Sequence, residues 1–167
     1  LVLFLFDRGA IDADFTAHLK NMKLGDMVIC RFNAPLAAVC YALLKSGTRA
    51  HILGRSDVAE GLISLIEKFR AKTVPVLIEK LNAWEVKEVK RYTLLDKEAQ
   101  ASAARDKADT IRVLLEDVDT VPALIKKIND MFVDQKESDL GGKAAYVQLS
   151  SIHKAKGLES DNVYAIN

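Results

Sequence analysis

The sequence is poor in cysteine and proline, with two and three of these among its 167 residues. Cys30 and Cys40 are too few for a disulfide-stabilised scaffold and indicate a reducing, cytosolic environment. Glycine is also sparse, and apolar residues make up 50% of the chain. This composition excludes collagen-like, low-complexity and disordered chains. The length suits one domain with a substantial core.

The chain also lacks long apolar segments and an excess of either charge. The apolar run at residues 1–6 stops at Asp7, so it is too short to span a membrane, and no basic flank precedes it as in a signal peptide. We therefore expect no membrane association and a cytoplasmic protein. A net charge of +1 excludes a uniformly basic surface for nucleic acid but leaves room for a local one. Because the sequence does not begin with Met, we interpret it as part of a longer protein.

Short apolar runs alternate with amphipathic stretches in the first 71 residues. Strands are predicted at residues 1–6, 27–30 and 50–53, and later at 145–150 and 162–166. Asn33 is predicted to cap one helix and Ser56 another, each following a strand. Continuous apolar strands separated by helices are typical of a parallel sheet covered on both faces. The sequence therefore predicts an α/β fold.

Residues 72–119 follow a different pattern, with mixed charges, helical periodicity and no convincing strand. We interpret this stretch as a helical insertion with a solvated face. An amphipathic helix that includes Phe132 is predicted behind Thr120. The predicted organisation is one domain made of residues 1–71 and 120–167, interrupted by the insertion at 72–119.

Two polar groups of residues come directly after predicted strands. Arg31 and Asn33 follow one strand, and the segment 150–159 follows another. In an open parallel sheet, ligands bind outside the carboxyl ends of the strands. Singly, such residues are typical of solvated loops, but together they favour an anion site. The side chains expected to converge there are those of Arg31, His153, Lys154 and Lys156, whereas Arg55 follows a further strand and is not assigned.

The segment SSIHKAKGLESDNV at residues 150–163 resembles motif V of superfamily 1 DNA helicases of the UvrD/Rep type. Upstream, VICRFNAPL at residues 28–36 is similar to motif IV of the same family. The resemblance extends over residues 25–70 and 145–167 and leaves the helical middle unmatched. It implies a RecA-like, three-layer α/β domain with a mainly parallel sheet, the second of the two such domains that form a helicase motor.

The resemblance implies a set of ATP-binding residues. Arg31 matches the arginine finger that contacts the γ-phosphate, and Lys156 matches a lysine at the same phosphate, so both are assigned catalytic roles. Gly157 matches the glycine of a tight turn, and Glu159 matches an acid that hydrogen-bonds the ribose.

The same resemblance implies a surface for single-stranded DNA. Ser151 and His153 match positions that contact the DNA backbone, and Asn33 is assigned to the same surface. Ser160 departs from the family, which commonly has Phe there, and this predicts looser local packing.

The implied cofactors are ATP and Mg²⁺. Gly141, Gly142 and Lys143 look like part of a phosphate loop, but Glu137 and Ala144 break the Walker A pattern. We therefore expect the first RecA-like domain of the same protein to supply the phosphate loop and the Mg²⁺ ligands. The chain alone is predicted to be inactive.

The function expected from the resemblance is an ATP-dependent DNA helicase that translocates 3′ to 5′ on single-stranded DNA. Three alternatives remain open. The chain could belong to a helicase-nuclease, it could be a non-catalytic RecA-like module that binds DNA or protein, or it could be an unrelated doubly wound domain that binds a phosphorylated ligand.

Overall fold

Six strands form one sheet at the centre of the computed structural model, which describes residues 2–6, 13–133 and 146–166. In chain order they are β1 (Val2–Phe6), β2 (Met27–Cys30), β3 (Ala50–Leu53), β4 (Phe132–Val133), β5 (Val147–Ser151) and β6 (Asn162–Ile166). Their spatial order is β1-β6-β2-β5-β3-β4, and all five neighbouring pairs are parallel. The predicted α/β fold with a parallel sheet is therefore confirmed.

Helices lie between β1 and β2, between β2 and β3 and between β3 and β4, as is usual in a parallel sheet, and ten residues without a helix join β5 to β6. The helices are α1 (Ala13–Asn21), α2 (Asn33–Lys45), α3 (Glu60–Phe69), α4 (Val74–Leu94), α5 (Glu98–Leu114) and α6 (Val121–Met131), and a short π-helix (Arg55–Ala59) precedes α3. Thr120 caps α6 as predicted, because its Oγ1 accepts the N–H of Ala123 at 3.3 Å. None of the helices that the structure describes has the length and apolar character to cross a membrane.

One hydrophobic core joins the sheet to the helices. Leu36 and Leu43 of α2 are fully buried in the same cluster as Ile52 and Leu149 of the strands. The helices of the predicted insertion share this core through Leu77, Leu81, Ala108, Ile111 and Leu114. Helices are thus present between residues 72 and 119 as expected, and they pack on the rest of the protein. The division into domain and insertion stays a prediction.

Two local predictions are wrong. Phe132 was expected at the end of a helix but lies in β4, where it is fully buried and pairs with Ile52 of β3. This tertiary pairing overrides the helical pattern of the preceding residues. Ser56 was expected to cap a helix, but it falls within the π-helix, and Ala59 occupies the N-cap of α3.

The start of α2 also differs from the prediction. Asn33 is the first helical residue and Phe32 occupies the N-cap position. The capping group comes from Asp106 of α5, whose carboxylate accepts the backbone N–H of Asn33 at 2.9 Å and of Ala34 at 3.0 Å. The Nδ2 of Asn33 donates to the same carboxylate at 3.0 Å. A carboxylate stabilises a helix N-terminus by accepting its free N–H groups and by its charge.

We predict that Asp106→Ala lowers the free energy of unfolding by about 2 kcal/mol, because it removes a cap and leaves N–H groups without an acceptor. Urea denaturation followed by circular dichroism measures this loss. Glu79→Ala is the control, because Glu79 is an exposed carboxylate on α4. Equal stabilities of the two variants would contradict the capping role.

Candidate functional site

Arg31 and Ser151 lie side by side at the carboxyl edge of the sheet. Cys30, the last residue of β2, is paired with Ser151, the last residue of β5. The N–H of Ile152 donates to the carbonyl of Cys30 at 3.1 Å, so the pairing continues one residue beyond β5. Arg31 is exposed and follows β2 directly. The structure therefore brings Arg31 next to the start of the segment 150–159.

A tight turn carries the other cations at this edge. The carbonyl of Ser151 accepts the N–H of Lys154 at 3.0 Å and of Ala155 at 2.9 Å, which folds the chain back on itself. Gly157 has a φ of +87°, a left-handed conformation that glycine adopts without strain. His153 and Lys156 are exposed on the turn. The turn thus presents polar side chains next to Arg31.

The end of β3 adds a third segment to the same edge, because β3 is the neighbour of β5. The carbonyl of Gly54 accepts the N–H of Val58 at 2.9 Å and of Ala59 at 3.1 Å, and this starts the π-helix. Single π-helical turns are frequent at functional sites. Here the turn presents Asp57, whose carboxylate lies 2.6 Å from the Nζ of Lys154.

The ion pair with Lys154 favours the charged form of Asp57. Partial burial by itself opposes ionisation, but the hydrogen bonds from Lys154 and from the backbone N–H of Val58 more than offset it. The net result is a lowered pKa of the Asp57 carboxyl. Lys154, which was expected among the free cations of an anion site, is therefore held by a carboxylate of the same chain.

Asn33 is engaged within the protein as well. Its backbone N–H and its side-chain amide both donate to Asp106, and that carboxylate occupies the N-terminus of α2. An anion would have to displace Asp106 to reach these groups. The structure therefore gives the N–H groups of Asn33 an intramolecular acceptor close to Arg31 in the chain.

Glu159 lies in a different part of the sheet from Arg31. The connection from β5 to β6 starts at the carboxyl edge and must return to the amino edge, because the two strands run in the same direction. Glu159 belongs to the returning part and lines a cavity of about 730 Å³ together with Asp26 and Asn162, which lie at the amino ends of β2 and β6. The structure does not bring Glu159 to the edge that carries Arg31.

Ser160 is well accommodated at this amino edge. Its hydroxyl lies 2.8 Å from the carbonyl of Gly25 and 2.9 Å from that of Asn162, so it links the two strand starts. Nearby, the buried carboxylate of Asp26 accepts the side-chain amide of Asn162 at 2.9 Å. Burial, reinforced by the charge of Asp26, raises the pKa of the Tyr164 phenol. These contacts connect Ser160 to both strand starts, and the looser local packing expected at this position stays a prediction.

The cysteines belong to the core. Cys30 and Cys40 are both buried, and burial raises the pKa of the Cys40 thiol to about 12, so this side chain stays protonated at neutral pH. Among residues 2–6, 13–133 and 146–166, no cluster of three or more His, Cys, Asp or Glu side chains is arranged to hold a metal ion.

Asp57 and Asp106 are not among the site residues predicted from the sequence. Asp57 follows a predicted strand end at Gly54, and that position is a signal that could have placed it at the site. Asp106 lies 73 positions after Asn33, within a helix of mixed charge, and no local pattern marks it as a cap. Both are carboxylates, and each binds a donor group that the sequence had assigned to an anionic ligand: the N–H groups of Asn33 and the ammonium group of Lys154.

No protein-family model matches the chain, and neither a curated protein nor a solved structure shows significant similarity to it.

The backbone conformation of Gly54, directly before the π-helix, leads to a prediction about protein stability. With a φ of +137°, an added Cβ would lie 3.1 Å from Cγ2 of Val58 and 3.3 Å from Oδ1 of Asp57. At Gly47, with a φ of +84°, an added Cβ meets no atom within 4 Å. We expect Gly54→Ala to cost about 1 kcal/mol more in unfolding free energy than Gly47→Ala. Thermal and urea unfolding of the two variants checks this, and equal losses would refute it.

Proposed function

We propose that this chain is the second RecA-like domain of an ATP-dependent DNA helicase of the UvrD/Rep type. The observation that carries the proposal is the adjacency of Arg31 and the turn that begins at Ser151. These segments match two separate helicase motifs, and parallel pairing of β2 with β5 brings them to one edge. The parallel α/β architecture supports the proposal at the level of fold class.

Arg31 and Lys156 are suited to an ATP γ-phosphate. Both side chains are exposed at or near the carboxyl edge, and no carboxylate among the described residues forms an ion pair with either. A guanidinium offers two parallel donors to phosphate oxygens, and an ammonium adds a point charge. In the proposed mechanism these cations stabilise the negative charge of the transferring phosphoryl group.

Ser151 and His153 are suited to the backbone of single-stranded DNA. Both lie at the beginning of the turn, and the hydrogen bonds of the Ser151 carbonyl to the turn hold the backbone between them and Lys156. A ligand at Lys156 therefore acts on the same short segment that contacts DNA. This linkage is the coupling that translocation driven by ATP hydrolysis requires. Asn33 is left out of the proposed DNA surface because Asp106 holds it.

Another domain has a necessary part in the proposed reaction. Mg²⁺ supplies charge neutralisation between the β- and γ-phosphates in phosphoryl transfer. We assign the Mg²⁺ ligands and the phosphate loop to the first RecA-like domain, which would close on this chain when ATP binds. Arg31 and Lys156 would then form one wall of the cleft. The ribose contact of Glu159 stays a prediction, because this residue lies toward the amino edge.

We predict that Arg31→Ala lowers the DNA-stimulated ATPase kcat of the full-length protein by about 10³-fold or more, as loss of an arginine finger does. Nucleotide binding should persist. The control is Arg49→Ala, because Arg49 is also exposed but precedes β3 at the opposite edge of the sheet. Normal turnover in Arg31→Ala would overturn the arginine-finger role. Absence of DNA-stimulated turnover in the unaltered protein would favour a non-catalytic binding module.

The DNA surface is tested separately with this chain and a fluorescent oligothymidylate. We expect Ser151→Ala and His153→Ala each to weaken binding about fivefold, which corresponds to one lost hydrogen bond. Fluorescence anisotropy measures the affinity. Lys23→Ala, an exposed cation at the amino-edge cavity, serves as the control and should bind nearly normally. Binding that is insensitive to Ser151 and His153 would contradict the proposed surface.

A further inference from the structure

Lys154 differs from the other cations of the carboxyl edge. Its Nζ lies 2.7 Å from Oδ1 and 2.6 Å from Oδ2 of Asp57, so both carboxylate oxygens face one ammonium group. Arg31 and Lys156 form no such ion pair with the residues that the structure describes. The edge therefore carries one cation whose charge is cancelled locally and two that form no ion pair with the described residues.

The pair is preformed and reachable from solvent. Asp57 sits on the π-helix, and its Oδ1 also accepts the N–H of Val58 at 2.7 Å. The backbone of Lys154 is fixed by its hydrogen bond to Ser151. The two side chains are 34% and 56% exposed for Lys154 and Asp57 respectively. Exposed ion pairs of this kind contribute little to stability, so its main consequence is the charge that it removes from the edge.

We propose that Asp57 is an internal counter-charge that withholds Lys154 from the phosphates of single-stranded DNA. It is a positioning residue that acts through Lys154. The edge then binds DNA with one phosphate contact fewer than its cations allow. This inference rests on the proposed DNA-binding function and identifies a residue that sets the affinity of that site.

The size of the effect follows from counterion release. Each phosphate neutralised on a single strand changes the slope of log K against log salt by about 0.7. At 0.1 M salt, one additional contact therefore strengthens binding about fivefold. Lys154 directly follows His153 in the turn, and its ammonium group is held at the same edge of the sheet by Asp57.

The test is Asp57→Asn, in which the amide oxygen can still accept the N–H of Val58 but carries no charge. Affinity for an oligothymidylate is measured by fluorescence anisotropy across a series of salt concentrations. We expect binding about fivefold tighter at 0.1 M salt and a slope steeper by about 0.7. Asp161→Asn is the matched control, because it removes an equal charge at the amino-edge cavity.

A double-mutant cycle identifies Lys154 as the group released. Lys154→Ala alone leaves the Asp57 carboxylate uncompensated and should not tighten binding, whereas in the Asp57→Asn background it should abolish the entire gain. Thermal unfolding of each variant verifies that the fold is kept, and Asp57→Ser provides a second uncharged side chain.

Weaker or unchanged binding by both Asp57→Asn and Asp57→Ser would overturn the inference and indicate that the pair only holds the turn in place. A gain that survives loss of Lys154, or that Asp161→Asn reproduces, would overturn it as well. If no variant binds the oligonucleotide, the proposed DNA-binding function itself fails. That failure is distinct, since binding by the unaltered protein that depends on Ser151 and His153 establishes the function independently of Asp57.

Discussion

Parallel pairing of β2 with β5 determines where the candidate side chains lie. The apolar residues of these strands hold the register, since Val28 and Leu149 are paired with each other and both fully buried. A shift of either strand by one residue would move that strand's side chains to the opposite face of the sheet. With the register fixed, β2 ends at Cys30 directly beside the end of β5 at Ser151. The residues that follow these two strands therefore leave the sheet at the same place. The adjacency of Arg31 and the turn is therefore a consequence of core packing.

Two carboxylates give this edge its electrostatic character. Asp106 accepts the free N–H groups at the N-terminus of α2, and Asp57 forms an ion pair with the ammonium group of Lys154. Both acids take up groups that the sequence assigns to an anionic ligand, and both come from segments distant in the chain. Arg31 and Lys156 form no ion pair with a described carboxylate, whereas Lys154 does. The edge therefore offers fewer uncompensated positive charges than its number of basic residues indicates. A chain with a net charge of +1 can thus present a local cationic site of limited strength.

The strands and the parallel sheet could be predicted because they depend on local apolar runs. Buried parallel strands are rich in hydrophobic residues, and β1 and β2 show an unbroken apolar run, whereas β3, β5 and β6 include polar residues. β4 could not be predicted, because its two residues are extended only through pairing with β3. The cap of α2 could not be predicted either, because the group that accepts its first N–H groups comes from a distant helix. Local sequence indicates which residues favour a cap, but it does not show that Asp106 of a distant helix is already in place.

The position of Glu159 also depends on tertiary structure that the local sequence does not show. Ser151 and Asn162 belong to strands that run in parallel, so the ten residues between them must travel the length of the sheet in the reverse direction. Lys156 and Glu159 are three positions apart in sequence, yet they lie on the outgoing and returning parts of this connection. Its first part is fixed to Ser151, and its last part is fixed through Ser160 to Gly25. A ligand at the turn therefore acts on a segment anchored at both edges of the sheet.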